Sequence, residues 1–412
     1  MSRRLTVLLL LFLCLWIGTG RAQTPAVDLR PTVILVSLDG WRWDYADKYP
    51  APNVRRLMTR GISAALIPSF PSKTFPNHYT IVTGLYPGHH GVVANAVKDP
   101  ATGRRLTMSN SKEVQDAMWW GGEPLWVTVQ RAGQIAAAMF WPGSEAPILG
   151  QRPRYWSPFD DKVSGTDRVD RILEWLDLPA SDRPTLLTLY LSEVDSAGHN
   201  SGPESNAVRN AVRRVDGYLG RLIRGLAQRR IVDHVNIVLV SDHGMAEANA
   251  DRVVVLDDYL APGDIDVIDL NPTLGLFPGP GREEAVYAAL KGAHPRLRVY
   301  RRAETPEHWH YRDHPRIPPI VGVVDEGWQI LRRSTLAIQR RGKRGPIGVH
   351  GYDPREARTM HGIFVAAGPA FKAGVSLPAF ENVHVYDMLS TVLGVTPAPN
   401  DGNPDVARSF LR

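Results

Sequence analysis

The stretch PTVILVSLDG, residues 31–40, decides how this chain is read. Thr32 to Leu38 is a nearly unbroken apolar run, and Asp39-Gly40 sits where a strand should stop. Such a run fits a strand buried on both faces. Two more apolar runs end the same way: PTLLTLYLSEVD leaves Asp195 past a strand, and VNIVLVSDHG ends at Asp242-His243. In open parallel sheets, ligands gather at the carboxyl ends of strands. One Asp after a strand is ordinarily a turn residue or a helix cap. Three of them accompanied by imidazoles carry more weight. His199 follows Asp195, His243 follows Asp242, and VHGYD adds His350 and Asp353.

The intervening sequence supplies the rest of a sheet. GISAALIPSF and GQIAAAMFW read as strands, and TMHGIFVAAGPAF returns to a strand pattern near the end. DRVDRILEWLDL and ESNAVRNAVRRVDGYLGRLIRGLAQRR carry the periodicity of amphipathic helices, and VHVYDMLSTVLGV that of a closing helix. Helices alternating with apolar strands predict an α/β fold, with a mostly parallel central sheet and helices on both faces. Residues from about 250 to 345 are less regular and read as an inserted lobe within one domain, 23–412.

The chain has 412 residues, 43% hydrophobic and 22% charged, enough for a large core. Residues 1–22 read as a signal peptide. Arg3 and Arg4 precede an apolar run from Leu5 to Ile17, and GRA precedes Gln23. That run is too short to favour a membrane span; an uncleaved anchor and a twin-arginine signal are the alternatives. The only cysteine, Cys14, lies in this segment. The mature chain then has no disulfide, which suits a bacterial periplasm or the medium. A metal site must use His, Asp, Glu or hydroxyl oxygen. The net charge of +6 is spread along the chain, and no nucleic-acid-binding signature stands out.

Mixed carboxylates and imidazoles suit zinc, with other first-row metals open. Two neighbouring divalent ions can bind a bridging phosphate. Asp39, Asp195, His199, Asp242, His243 and His350 supply six ligands, with His361 competing with His350 for the third imidazole. Thr74 lies in PSFPSKTFPNHYTIVTGLYPGHHGVVAN, residues 68–95. It can cap a helix with Pro76 in the first turn. Alternatively, metal coordination can deprotonate it into a nucleophile, with the helix start aiming N–H groups at phosphate.

The chain resembles the nucleotide pyrophosphatase/phosphodiesterases of the alkaline phosphatase superfamily. VILVSLDGWRWDY, FPSKTFPNHYTIVTGLYPGHHGVVAN, LYLSEVDSAGHNSGP, VSDHGM and GVHGYD match in the family's order, from about residue 32 to 353. The resemblance implies two Zn2+ ions, one on Asp195, His199 and His350, the other on Asp39, Asp242, His243 and Thr74. It implies Thr74 as nucleophile in a double displacement through a phosphothreonine. Asn95 and the Phe75 N–H would hold a phosphate oxygen. Phe75 and Tyr155 would sandwich a nucleobase, with Trp141 at its edge; core packing is the alternative for all three aromatics. The implied substrates are nucleotides and dinucleotides, cleaved to nucleoside 5′-monophosphates. A phospholipid-headgroup phosphodiesterase of the same family and a non-catalytic exported binding protein are the alternative readings. Neither a stable nucleic-acid partner nor a membrane span of the mature chain is expected, and the oligomeric state is open.

Overall fold

Strand β1, Thr32–Leu38, is buried at every position. Its side chains alternate between two cores: Val33 and Leu35 enter one, Ile34, Val36 and Leu38 the other. A continuous apolar run is what a strand needs when helices cover both faces. The computed structural model describes residues 29–412 apart from 262, 264, 343 and 344. The segment read as a signal peptide lies outside the described residues.

After β1 come α1 (Pro52–Arg60), β2 (Ile62–Ile67), α2 (Thr74–Thr83), β3 (Ala136–Met139) and β4 (Tyr155–Trp156). They are followed by α3 (Gly165–Leu176), β5 (Leu186–Leu191), α4 (Glu193–Ser201), α5 (Asn206–Gln228) and β6 (Val235–Val240). Then come β7 (Ile265–Leu270), β8 (Thr273–Pro278), β9 (Leu297–Arg301) and β10 (Ile320–Val324). The last elements are β11 (Gly362–Ala367), β12 (Val375–Ser376) and α6 (His384–Leu393).

The central sheet has nine strands in the order β12-β2-β11-β6-β1-β5-β3-β4, with Phe380–Glu381 beside β2. Strands β6, β1, β5, β3 and β4 are parallel. Only β11 is reversed against its neighbours β6 and β2. The sheet is therefore mixed and mostly parallel. Helices α2 and α6 pack on one face, and α1, α3 and α5 on the other.

Because β1 lies between β5 and β6, their three carboxyl ends open at one place. The expected strand around 186–191 stops earlier than its apolar pattern suggested. Asp195 lies on α4, with His199 one turn further along the same helix. Residues 265–324 contribute a separate antiparallel sheet, β7-β8-β10-β9, whose Leu274, Leu276, Leu297 and Ile320 belong to a third core. No helix among the described residues is long and apolar enough to cross a membrane.

The turn after β1 is pressed against the start of α4. Asp195 N–H donates to Asp39 O at 3.1 Å. Gly40 has φ of +67°, and a Cβ there would lie 2.8 Å from Asp195 Cα. The position requires both left-handed backbone and the absence of a side chain. Gly40→Ala is expected to destabilise the metal-free protein by about 2–4 kcal/mol, measured by urea unfolding.

Candidate active site

Each strand end delivers its residues to one hollow. β1 delivers Asp39, β5 leads into α4 with Asp195 and His199, and β6 is followed by Asp242 and His243. Asp195 and His199 are four residues apart on a helix, so both project from one face. The short strand Ile347–Val349 pairs with Ala246–Ala248 and leads into His350. Thr74 is the first residue of α2, whose whole length is buried.

Asp195, His199 and His350 form one group. His199 Nε2 is 3.3 Å from Asp195 Oδ1. His350 Nε2 is 3.1 Å from His199 Nε2 and 3.7 Å from Asp195 Oδ1. Asp39, Asp242, His243 and Thr74 form a second group. His243 Nε2 lies 3.0 Å from Asp242 Oδ2, 3.6 Å from Asp39 Oδ1 and 3.3 Å from Thr74 Oγ1. The His243 and His350 rings stack at 3.5 Å, joining the two groups. His361 stays apart, its Nε2 donating to Pro354 O at 2.9 Å.

The rings are turned for ligation. His199 Nδ1 donates to Gly348 O, His350 Nδ1 to Ser72 O and His243 Nδ1 to Gly244 O, at 2.8–2.9 Å. Anchoring Nδ1–H on a carbonyl leaves the Nε2 lone pair for a cation. His78 is different. Its Nδ1 donates to Thr74 O at 2.9 Å and its Nε2 meets Ser37 Oγ at 2.7 Å, so both nitrogens are occupied. It braces α2 against β1, close to Asp242.

The carboxylates show what is missing from a purely protein account. Asp39 Oδ1, Asp195 Oδ1 and Asp242 Oδ2 are buried with no hydrogen-bond donor. Buried charges require pairing or metal coordination. Burial raises the Asp39 carboxyl well above the usual range, and Asp242 and Asp195 push it the same way. Burial acts likewise on Asp242, but the His243 and His78 rings outweigh it and hold that carboxyl well down. Burial and the adjacent His243 and His199 rings keep His350 neutral. Burial lowers His199 and His243, yet Asp195 and Asp242 respectively overcome it and raise them. In the metal-free cluster, protons on His199 and His243 thus take the place of cations, and metal binding would release them. The donor set of oxygens and imidazole nitrogens fits two divalent ions; Asp195, His199 and His350 can hold one, and Asp39, Asp195 and His243 also lie within ligating reach of one another.

The remaining expected residues divide. Asn95 is beside Thr74's helix, but the Phe75 N–H donates to Asn95 Oδ1 at 2.8 Å. The expectation that both would donate to phosphate is corrected: the N–H is engaged, and the Asn95 amide NH2 is the outward donor. Phe75 is 9% exposed and packs on Trp120 at 5.7 Å. Trp141 is buried, and its indole N–H donates to His78 O at 3.0 Å, so it supports α2 rather than lining an open pocket. Tyr155 stacks on Trp175 at 6.0 Å and its hydroxyl donates to Asp182 O, which holds it at the sheet edge. The aromatic at the site's margin is Phe159. It is 47% exposed and lies 5.9 Å from Tyr190, whose hydroxyl donates to Asp39 Oδ2 at 2.6 Å. Sequence reasoning passed over both Phe159 and Tyr190, although each lay within a stretch already singled out. Asp353 does not support His350; it accepts from Trp309 and His308.

A hollow of acid and imidazole groups at the end of such a sheet defines a metal-assisted hydrolase. Residues 33–353 match the type I phosphodiesterase / nucleotide pyrophosphatase family, and the chain belongs to it. The human ectonucleotide pyrophosphatase/phosphodiesterase family member 5 is 38% identical over 373 residues, covering 90% of this chain and 76% of that protein. The bis(5′-adenosyl)-triphosphatase of Xenopus laevis is 35% identical over 401 residues, covering 97% and 85%. A structure of murine ectonucleotide pyrophosphatase/phosphodiesterase 5 superposes with a TM-score of 0.87 at 38% identity, covering 92% of this chain and 100% of that one. That structure is an inactive threonine-to-alanine variant in complex with AMP.

Ions that bind the folded site and not the unfolded chain stabilise the fold. Chelation is expected to lower Tm by about 5 °C or more, and restoring zinc to recover it. An unchanged Tm would contradict cation binding at these carboxylates.

Proposed function

We propose that this chain hydrolyses nucleotide phosphodiester and pyrophosphate bonds and releases nucleoside 5′-monophosphates. The observation that carries this reading is the set of three orphaned buried carboxylate oxygens, faced by imidazole nitrogens and by one hydroxyl. The names of the relatives and the AMP complex of the murine protein support a nucleotide substrate.

Thr74 Oγ1 is the nucleophile. It attacks phosphorus, the ester oxygen of the leaving group departs, and a phosphothreonine ester results; water then cleaves that ester. Two zinc ions, one on Asp195, His199 and His350 and the other on Asp39, Asp242, His243 and Thr74, would supply charge for the attacking and leaving oxygens. The chain's own contribution is placement. Position 74 opens α2, so the helix N-terminus faces the developing negative charge. His78 holds the Thr74 carbonyl, fixing where the hydroxyl stands. The Asn95 amide NH2 donates to a non-bridging oxygen. Phe75 and Phe159 offer aromatic faces to the base, a mode that tolerates any base. The catalytic domain runs from 23 to 412 with the lobe as an insertion, and the leading segment exports it to the periplasm or medium.

Thr74→Ala is expected to lower turnover of a nitrophenyl thymidine monophosphate ester at least about 1,000-fold, while metal content and Tm stay near wild type. Wild-type turnover in that variant would reject the nucleophile. Phe159→Ala should cost a nucleotide ester about tenfold in kcat/KM and leave bis-nitrophenyl phosphate within about twofold. Equal losses on both would remove Phe159 from base binding. A substrate panel with product identification tests the reaction itself: products other than nucleoside 5′-monophosphates would overturn it.

A further inference from the structure

The residue before Thr74 is a lysine, and its ammonium is bound to the lobe. Lys73 Nζ donates to Asp269 Oδ1 at 2.5 Å and to Asn271 O at 3.4 Å. The two side chains are only 6% and 14% exposed. Asp269 is on β7, and its other oxygen accepts from Thr273 Oγ1 at 2.5 Å across the turn into β8. A lysine serving the substrate phosphate would be held near it as an available positive charge. Here that charge is matched by a buried carboxylate of another substructure.

The backbone around Lys73 connects this pair to the reacting groups. The Lys73 carbonyl accepts from Asn77 N–H at 3.2 Å and Asn77 Nδ2 at 2.9 Å, which fixes the first turn of α2. The preceding Ser72 carbonyl accepts from His350 Nδ1 at 2.8 Å, and Ser72 Oγ donates to Tyr352 O at 2.7 Å. Gly351, at φ +123°, is so close that a Cβ would lie 2.9 Å from both Lys73 Cε and Pro272 Cδ. The nucleophile loop, the His350 loop and the β7–β8 turn therefore meet along the Lys73 side chain.

We propose that Lys73 is a positioning residue: its buried pair with Asp269 couples the lobe to the nucleophile loop and keeps Thr74 and His350 in register. The kinetic part of this proposal rests on the function proposed above; the structural part does not. Removing one partner of a buried pair strands the other charge, whereas removing both is far better tolerated.

The test uses the full-length, zinc-loaded protein as Asp269→Asn, Lys73→Met and the double variant. Hydrogen exchange is followed for the amides of residues 72–77, with β5 as an internal reference. In Asp269→Asn, exchange at 72–77 is expected to quicken about fivefold or more, with β5 unchanged. In each single variant kcat is expected to fall about tenfold, with KM within about twofold and the double variant no worse than either single. If a single variant fails to fold, the double variant carries both readouts. Unchanged exchange at 72–77 would overturn the coupling. So would wild-type kcat in Asp269→Asn beside loss in Lys73→Met, because that pattern belongs to a lysine touching substrate. A wild-type protein with no turnover would sink the proposed function, while the exchange result would still decide the coupling.

Discussion

The structure depends on holding three carboxylates where they repel one another. Asp39, Asp195 and Asp242 meet at the ends of adjacent parallel strands, each with a buried oxygen that finds no hydrogen-bond donor. No packing of apolar side chains offsets that arrangement, since like charges at low dielectric raise one another's energy steeply. The sheet tolerates it because its two apolar cores supply the stability elsewhere. A site of this kind is strained toward accepting positive charge, and its imidazoles are aimed for that purpose.

The surroundings convert this electrostatic demand into a shaped site. Backbone carbonyls of Gly348, Ser72 and Gly244 orient the three ligating rings. Gly40 allows the β1 turn to touch α4, and His78 fastens α2 to β1. Each of these contacts joins segments distant in sequence. The site is thus a property of the strand order, in which β1 is flanked by β5 and β6. The family assignment agrees with this order of elements and extends across residues 33–353.

Much of this was legible in the sequence, for definite reasons. Strands buried on both faces read as apolar runs, and acidic turns at their ends mark where a parallel sheet binds ligands. Asp39, Asp242 and His243 could be placed from that rule alone. The α4 helix was hidden because the apolar pattern of β5 continues into LSEV, so the i,i+4 relation of Asp195 and His199 emerged only in three dimensions. The aromatic residues were the least legible. Tyr155 and Phe159 are four residues apart in an irregular stretch, and nothing local says which ring turns toward Tyr190 and which toward Trp175. The partner of Lys73 was equally hidden, since Asp269 lies 196 residues away in the lobe.

The most direct test of the central claim is anomalous diffraction at the zinc edge from crystals of the zinc-loaded protein. The account predicts two peaks about 4 Å apart, one among Asp195, His199 and His350, the other among Asp39, Asp242 and His243 and in contact with Thr74 Oγ1. A single peak, or peaks remote from these carboxylates, would contradict it.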